Sequence, residues 1–204
     1  MNIKSILIFA AITFGVLLGV GGLLWQFGQS GDKPIADIAG DKHLIKGSGA
    51  ITLVEFSDFQ CPACLAVQQP LEQILKKYEG KVEFVYRYFP LTSIHKNAMM
   101  SAQAAEAAYR QGKFFEMHDK LFATQASWQG LADPKETFMA YAKEIGLDTE
   151  KFGQDIDSQS VKDVINNDLL ATTRYRLTGT PTFFINGSKV EFAQIESKIQ
   201  ELTK

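Results

Sequence analysis

The stretch VEFSDFQCPAC, residues 54–64, holds both cysteines of the 204-residue chain, Cys61 and Cys64, in the tetrapeptide CPAC. With two cysteines in the chain, a chance spacing of three residues has odds of roughly one in a hundred. The β-branched and apolar residues before them predict a buried strand over 51–57. Pro62 favours the first position of a helix, so Cys61 is predicted to lie where a loop meets a helix.

A helix that starts at Pro62 points unpaired N–H groups and the positive end of its dipole at the Cys61 sulfur. These groups stabilise a thiolate and lower its pKa, and a stabilised reduced form makes the disulfide a stronger oxidant. Cys64, one helical turn later, is predicted to be more buried, to have a higher pKa and to act as the resolving cysteine. We therefore expect a redox-active disulfide between Cys61 and Cys64.

Two other uses of the cysteine pair compete with this one. A structural disulfide across so short a loop would remove only about 2 kcal/mol of unfolded-chain entropy. A zinc site needs four ligands, the chain has no second cysteine pair, and the three histidines, His43, His95 and His118, show no ligand spacing. The sequence predicts no metal and no bound cofactor.

Outward from the cysteines, the apolar spacing predicts a helix over 62–78, kinked at Pro70, and a second strand over 81–89. Strand, helix and strand in this order favour a parallel pair in an α/β domain. Residues 182–185, an Asn-Gly turn and residues 189–191 predict a hairpin, followed by a closing helix to residue 202. Between these parts lie five predicted helices: 97–111, 114–125, 134–145, 149–156 and 160–175.

The amino end predicts one hydrophobic helix ahead of this domain. Residues 1–4 form a charged n-region expected in the cytoplasm, and residues 5–27 carry no charge and are long enough for a signal anchor. A cleaved signal peptide and secretion are the alternative. Residues 28–40 are predicted to be a linker. Either interpretation places the catalytic domain outside the cell membrane, in the periplasm or on the outer face of the membrane, in an oxidising compartment.

The charge balance excludes one class of partner. The chain has 21 lysines and arginines against 23 aspartates and glutamates, a formal net charge of -2 at pH 7. No basic block is present that could neutralise a row of phosphates. We therefore expect no nucleic-acid partner. Contact with the membrane is expected through the uncharged N-terminal helix, residues 5–27.

Three motifs in this order resemble the DsbA-like thiol:disulfide oxidoreductases, which have a thioredoxin fold with an inserted helical subdomain. They are the strand and CPAC motif (54–64), GKFFEMHD (112–119) and GTPTF (179–183). The resemblance implies a thioredoxin-like domain formed by 41–90 and 177–204, with a helical insertion over 91–176.

The resemblance also implies roles for single residues. The Thr180–Pro181 bond would be cis and lie beside the cysteines, and the backbone near Thr180 would pair with an extended substrate peptide. Glu55 matches an acid buried beneath the cysteines, a proton donor or acceptor for the resolving thiol; an edge-exposed glutamate is the alternative. Phe59 is a candidate for lining the peptide groove, with packing in the core as the alternative.

The resulting functional prediction is an extracytoplasmic thiol oxidase that donates its disulfide to unfolded or folding secreted proteins with free thiols. The resemblance implies reoxidation by a membrane quinone-linked partner of the DsbB or VKOR type. A reductase or isomerase is an alternative, because Ala63 replaces the histidine of the most oxidising relatives and Thr180 occurs in several non-oxidase relatives. A further alternative is a non-catalytic thioredoxin-like module that binds extended peptides.

Overall fold

A five-stranded sheet is the centre of the computed structural model, which describes residues 37–204. The strands are β1 (Ile45–Gly47), β2 (Ile51–Ser57), β3 (Val82–Tyr88), β4 (Thr182–Ile185) and β5 (Ser188–Val190). Their order is β1-β3-β2-β4-β5, with β2 and β3 parallel and the other neighbours antiparallel. The predicted n-region, the predicted anchor and most of the predicted linker, residues 1–36, lie outside the described residues.

The helices fall into three groups along the chain. Helix α1 (Pro62–Lys77) connects β2 to the parallel strand β3, and α8 (Ile195–Leu202) closes the chain after a 3₁₀ turn. The other six lie between β3 and β4 and are called the helical insertion: α2 (Ala98–Tyr109), α3 (Phe114–Ala123), α4 (Gln125–Trp128), α5 (Lys135–Glu144), α6 (Thr149–Ile156) and α7 (Gln159–Arg174). The predicted α/β architecture with an inserted helical block is confirmed.

Alternate residues of β2 enter two different cores because successive side chains of a strand point to opposite faces. Leu53 belongs to the larger core, which the sheet shares with α1 and most of the helical insertion. Val54 and Phe56 belong to a smaller core on the other face, against residues of α7. Glu55 lies two residues after Leu53, so its side chain points to the same face of the sheet and is buried on the side of the larger core.

The helices of the insertion pack closely around α2 because α2 is rich in alanine. Small side chains let neighbouring helices approach closely, and α2 contacts α3, α5, α6 and α7. Six of its alanines are buried: Ala98, Ala102, Ala104, Ala105, Ala107 and Ala108. Trp128 of α4 is fully buried, with its ring 5.4 Å from that of Phe138. Sheet and insertion thus share one continuous core.

Four local features bear on the sequence-based expectations. Helix α1 continues through Pro70 as one helix, as predicted, and the kink at Pro70 stays a prediction. The edge strand β1 and the four-residue helix α4 were not predicted. The Asn186-Gly187 turn is present, with φ of 48° and 82°, the left-handed values that a tight hairpin turn requires.

Candidate active site

Cys61 lies where β2 and its following loop deliver the chain to α1. It is the N-cap residue of that helix, with φ of -73° and ψ of 123°, and Pro62 follows in the first turn. The Cys61 N–H donates to the Asp58 carbonyl at 3.0 Å, and the Cys61 carbonyl accepts from the Leu65 N–H at 3.1 Å. Cys61 Sγ lies 3.5 Å from the Thr180 carbonyl oxygen, and the residue is 6% exposed.

The surroundings of Cys61 favour its thiolate and lower its pKa to about 5. The largest cause is the hydrogen bond from the Cys64 thiol; burial opposes it, and Thr180 and the backbone N–H groups of Ala63 and Cys64 add to the lowering. The neutral thiol makes no capping hydrogen bond to the first turn of α1, so these N–H groups act on the charged sulfur. At neutral pH the thiolate is the main form of Cys61.

Cys64 has the opposite environment. Its side chain is fully buried one turn into α1, and burial raises its pKa far above that of an ordinary thiol. The Cys61 sulfur and the charge of Glu55 raise it further. The site thus holds two unequal thiols, an ionised one at the helix start and a neutral one beneath it.

Glu55 is buried under the cysteine pair, and its carboxyl changes between the protonated and the ionised form near neutral pH. Burial raises its pKa from 4.5 to about 7, and the nearby Cys61 charge contributes in the same direction. Its Oε1 accepts a long hydrogen bond, 3.4 Å, from Gln68 Nε2, which also donates to the Cys64 carbonyl at 3.1 Å. Its Oε2 has no hydrogen-bond partner within residues 37–204.

Two further hydroxyl groups lie close to this carboxyl and were not identified from the sequence. Ser57 is close enough to lower the pKa of Glu55 and of Cys64, although its Oγ makes no hydrogen bond of ordinary geometry in the described part of the chain. Tyr86 is paired with Glu55 across the parallel strands β2 and β3 and is fully buried, which raises its pKa. Both hydroxyls are neutral, so Glu55 is the group beneath Cys64 that can exchange a proton near pH 7.

The loop before β4 completes the site. The Thr180–Pro181 peptide bond is cis, and the loop is held by the Thr182 hydroxyl, which donates to the Gly179 carbonyl at 2.7 Å. This arrangement brings the Thr180 backbone to the Cys61 sulfur. The structure therefore gathers the candidate residues 55, 61, 62, 64, 180 and 181 at one edge of the sheet.

Phe59 is placed differently from the sequence-based expectation. It is 1% exposed, stacks on Tyr86 with ring centroids 5.2 Å apart, and also contacts Phe122 and His118. A side chain held in this aromatic cluster does not line a groove for a substrate peptide. The assignment of Phe59 to substrate binding is therefore corrected: its role is to anchor the loop before Cys61 in the core.

The three histidines are held by carboxylates near them. Each one contacts a carboxylate: His43 contacts Asp41, His95 contacts Asp58, and His118 contacts Asp119. Within residues 37–204, no three histidine, cysteine, aspartate or glutamate side chains are grouped as ligands for a metal ion. These contacts are local ion pairs or hydrogen bonds that fix loops and helices.

Comparison with known proteins identifies the family. A family model described as thioredoxin matches residues 47–204, so the chain belongs to this family. Among solved structures, the thiol-disulfide exchange protein α-DsbA2 from Wolbachia pipientis is similar with a TM-score of 0.69 and 23% identity, over 81% of this chain and 90% of that chain. A thioredoxin-like oxidoreductase from Silicibacter pomeroyi DSS-3 gives a TM-score of 0.68 and 25% identity, over 83% and 98% of the two chains.

These similarities confirm the predicted thioredoxin-like fold and membership of the thioredoxin family, and the Silicibacter pomeroyi oxidoreductase supports the prediction of an enzyme. The fold is also that of the DsbA-like protein α-DsbA2. A curated relative, the Na(+)/H(+) antiporter NhaA 3 of Salinispora tropica, is 36% identical over 151 residues, which are 73% of this chain and 22% of that protein. The chain thus spans about a fifth of the length of the curated relatives that it resembles.

The predicted location is wrong for the domain that these relatives share. The sequence-based expectation was a catalytic domain held outside the cell membrane by its own helix, or secreted after cleavage. The relatives instead carry the matching stretch as a minor part of proteins named Na(+)/H(+) antiporters. Among residues 37–204, none of the helices combines the length and the apolar character needed to cross a bilayer. The predicted anchor itself, residues 5–27, lies outside the described residues.

Proposed function

We propose that this chain is a protein thiol:disulfide oxidase that donates a Cys61–Cys64 disulfide to folding proteins with free thiols. The observation that carries the proposal is the inequality of the two thiols, since the surroundings lower the pKa of Cys61 to about 5 and raise that of Cys64. A stabilised thiolate favours the reduced enzyme, and a favoured reduced form means that the disulfide is readily given away.

The reaction proceeds by two thiol–disulfide exchanges. A substrate thiolate attacks the Cys61 sulfur, the Cys61–Cys64 bond breaks, and a mixed disulfide forms between substrate and Cys61. The electron pair leaves on the Cys64 sulfur, which takes a proton because its pKa is high. The second substrate thiolate then attacks the substrate sulfur of the mixed disulfide, and Cys61 leaves as a stabilised thiolate. The substrate is oxidised by two electrons and the enzyme is reduced by two.

Glu55 supplies the proton for the first exchange. Its carboxyl is protonated in part of the molecules at neutral pH because burial raises its pKa to about 7. It lies beneath Cys64, whose pKa it raises when it is charged. Gln68, which contacts Glu55 Oε1, lines a groove of about 560 Å³ beside α1 and α3, and the carboxyl regains its proton from solvent on this side.

The Thr180–Pro181 loop receives the substrate chain. Its backbone lies at the Cys61 sulfur, where an extended peptide can add hydrogen bonds in the manner of an extra strand.

The reduced enzyme needs a two-electron oxidant to restore its disulfide. The chain contains no second pair of cysteines that could pass these electrons on internally. We place this role with a separate protein that accepts two electrons, a quinone-linked reoxidase of the DsbB or VKOR type.

The first test separates the roles of the two cysteines in the full chain. Reduced Cys64→Ser is expected to form a mixed disulfide with an oxidised peptide, because Cys61 remains at the start of α1 as the attacking thiol, and Cys61→Ser is expected to form none. Both variants should fail to oxidise a reduced substrate. Oxidation that survives in Cys61→Ser would contradict the proposal.

The direction of electron flow is tested by equilibrating the chain with glutathione buffers. A reduction potential of about -120 mV is expected for a disulfide donor, whereas one of about -270 mV would identify a thioredoxin-like reductant.

Ala63 between the cysteines is the observation that keeps the reductase or isomerase as the second candidate. An unreactive Cys61 at neutral pH would favour the non-catalytic peptide-binding module instead.

A further inference from the structure

Gln125, in the short helix α4 of the helical insertion, contacts the backbone of the redox loop directly. Its Nε2 donates to the carbonyl of Phe59 at 2.8 Å and to the carbonyl of Cys61 at 3.1 Å, and its side chain is buried. The amide nitrogen carries two hydrogens, and both acceptors are carbonyl oxygens. A flipped amide would turn its oxygen toward the same two carbonyls, so this orientation is the one that the contacts support.

Gln60, which lies between Phe59 and Cys61, is also held by residues of the helical insertion and its loops. Gln60 accepts a hydrogen bond from the Asn97 N–H at 2.8 Å and donates one to the Gln129 carbonyl at 3.1 Å. Asn97 in turn donates to the carbonyl of Leu131 at 3.0 Å and to that of Trp128 at 3.2 Å. Side-chain amides therefore connect residues 59–61 to the insertion, with none of them charged.

We propose that Gln125 is a positioning residue that holds the backbone of Cys61 in the conformation that thiol–disulfide exchange requires. The inference rests on the proposed function, because it assigns Gln125 a purpose only if Cys61 is the reacting thiol. The extended conformation of Cys61 at the N-cap decides which way its sulfur points. In that conformation Sγ reaches Thr180 and faces the N–H groups of the first turn of α1.

The physical effect of Gln125 is geometric rather than ionic. The Cys61 carbonyl already accepts the first helical N–H, that of Leu65, and the second hydrogen bond from Gln125 uses its other lone pair. Two partners on one carbonyl restrict rotation of the peptide plane between Cys61 and Pro62. Without Gln125 that plane is freer, the sulfur spends less time against its N–H donors, and the thiolate is less stabilised.

The test compares two buried glutamines of the insertion. Gln125→Met removes both hydrogen bonds to the redox loop while keeping the side-chain volume. Gln103→Met is the matched control, since Gln103 is also buried and donates to a backbone carbonyl of the insertion, that of Ile156, at 3.0 Å. The ionisation of Cys61 is followed in the full reduced chain by thiolate absorbance in the far ultraviolet against pH, with the disulfide form as baseline.

The expected result is a Cys61 pKa at least about half a unit higher in Gln125→Met than in wild type, a roughly threefold loss of thiolate at low pH. Gln103→Met should titrate like wild type, even if both variants lose similar thermal stability. If Gln125→Met does not fold, Gln125→Asn, which shortens the amide's reach, is titrated in its place with the same expectation. An unchanged Cys61 titration, or an equal shift in Gln103→Met, would overturn the inference. A wild-type Cys61 that titrates as an ordinary thiol would instead refute the proposed function.

Discussion

Replacing the buried acid Glu55 by glutamine is expected to stabilise the reduced protein in alkali and to leave its stability unchanged in acid. Burial raises the pKa of the Glu55 carboxyl from 4.5 to about 7, with a further contribution from the Cys61 charge. The folded state therefore binds this proton more tightly than the unfolded chain does. The stability that this binding contributes is fully present below pH 4.5 and is lost as the pH rises through about 7. A glutamine side chain cannot ionise, so the Glu55→Gln variant lacks that loss.

The size of the effect follows from the two pKa values. Glu55 is completely buried, and its folded and unfolded pKa values, about 7 and 4.5, differ by about 2.5 pH units. At about 1.36 kcal/mol for each unit, ionising this carboxyl destabilises the fold by about 3 kcal/mol above pH 8. The substituted glutamine keeps an acceptor oxygen for Gln68, so that hydrogen bond does not change the comparison greatly.

Urea unfolding of reduced wild type and Glu55→Gln at about pH 4.5, 6, 7 and 8.5 measures this difference directly. The gap in the free energy of unfolding should be near zero at the lowest pH and reach about 3 kcal/mol at the highest. In the disulfide form the gap should be smaller, because the Cys61 charge is absent. Glu79→Gln, at an exposed glutamate after α1, is the control and should show no such trend. A gap that does not vary with pH would refute the reasoning.

Two further predictions concern the cis-proline loop and the buried ion pair. Thr180→Val removes a side chain that helps to lower the pKa of Cys61, so thiolate absorbance should titrate at higher pH than in wild type, whereas Thr173→Val, at an exposed hydroxyl of α7, should not change the titration. Asp168→Ala leaves Arg87, which donates to Asp168 through Nε at 2.8 Å, buried without its carboxylate. Its free energy of unfolding in urea should fall by about 3–5 kcal/mol, and a loss below about 1 kcal/mol would show that the pair is dispensable.

The part of the site that could be predicted from the sequence is the part made by neighbouring residues. The run of β-branched and apolar residues over 51–57 indicated a buried strand, and Pro62 indicated a helix that starts next to Cys61. Each of these signals depends on contiguous residues, because strand period and helix capping are local properties. The β-α-β order then favoured the parallel pairing of β2 and β3, which the structure has.

The features that were missed are those with no local pattern. Strand β1 has three residues, too few to show an alternation, and it forms because β3 offers a free edge. Helix α4 has four residues and no amphipathic repeat. Phe59 lies in a loop, where periodicity gives no indication of burial, and only the packing of α3 against the sheet encloses it.

Gln125 shows why the long-range half of the site requires a structure. It lies 64 residues from Cys61 in the sequence, and nothing in its neighbourhood distinguishes it from Gln103, which is equally buried but contacts a different helix. The CPAC motif supplies the hydrogen bond from the Cys64 thiol and the N–H groups of the helix start, which together lower the pKa of Cys61. Burial, which raises the pKa of both Cys64 and Glu55, comes from the sheet and the helical insertion. The inequality of the two thiols, on which disulfide donation depends, therefore needs the burial that the whole fold provides as well as the motif.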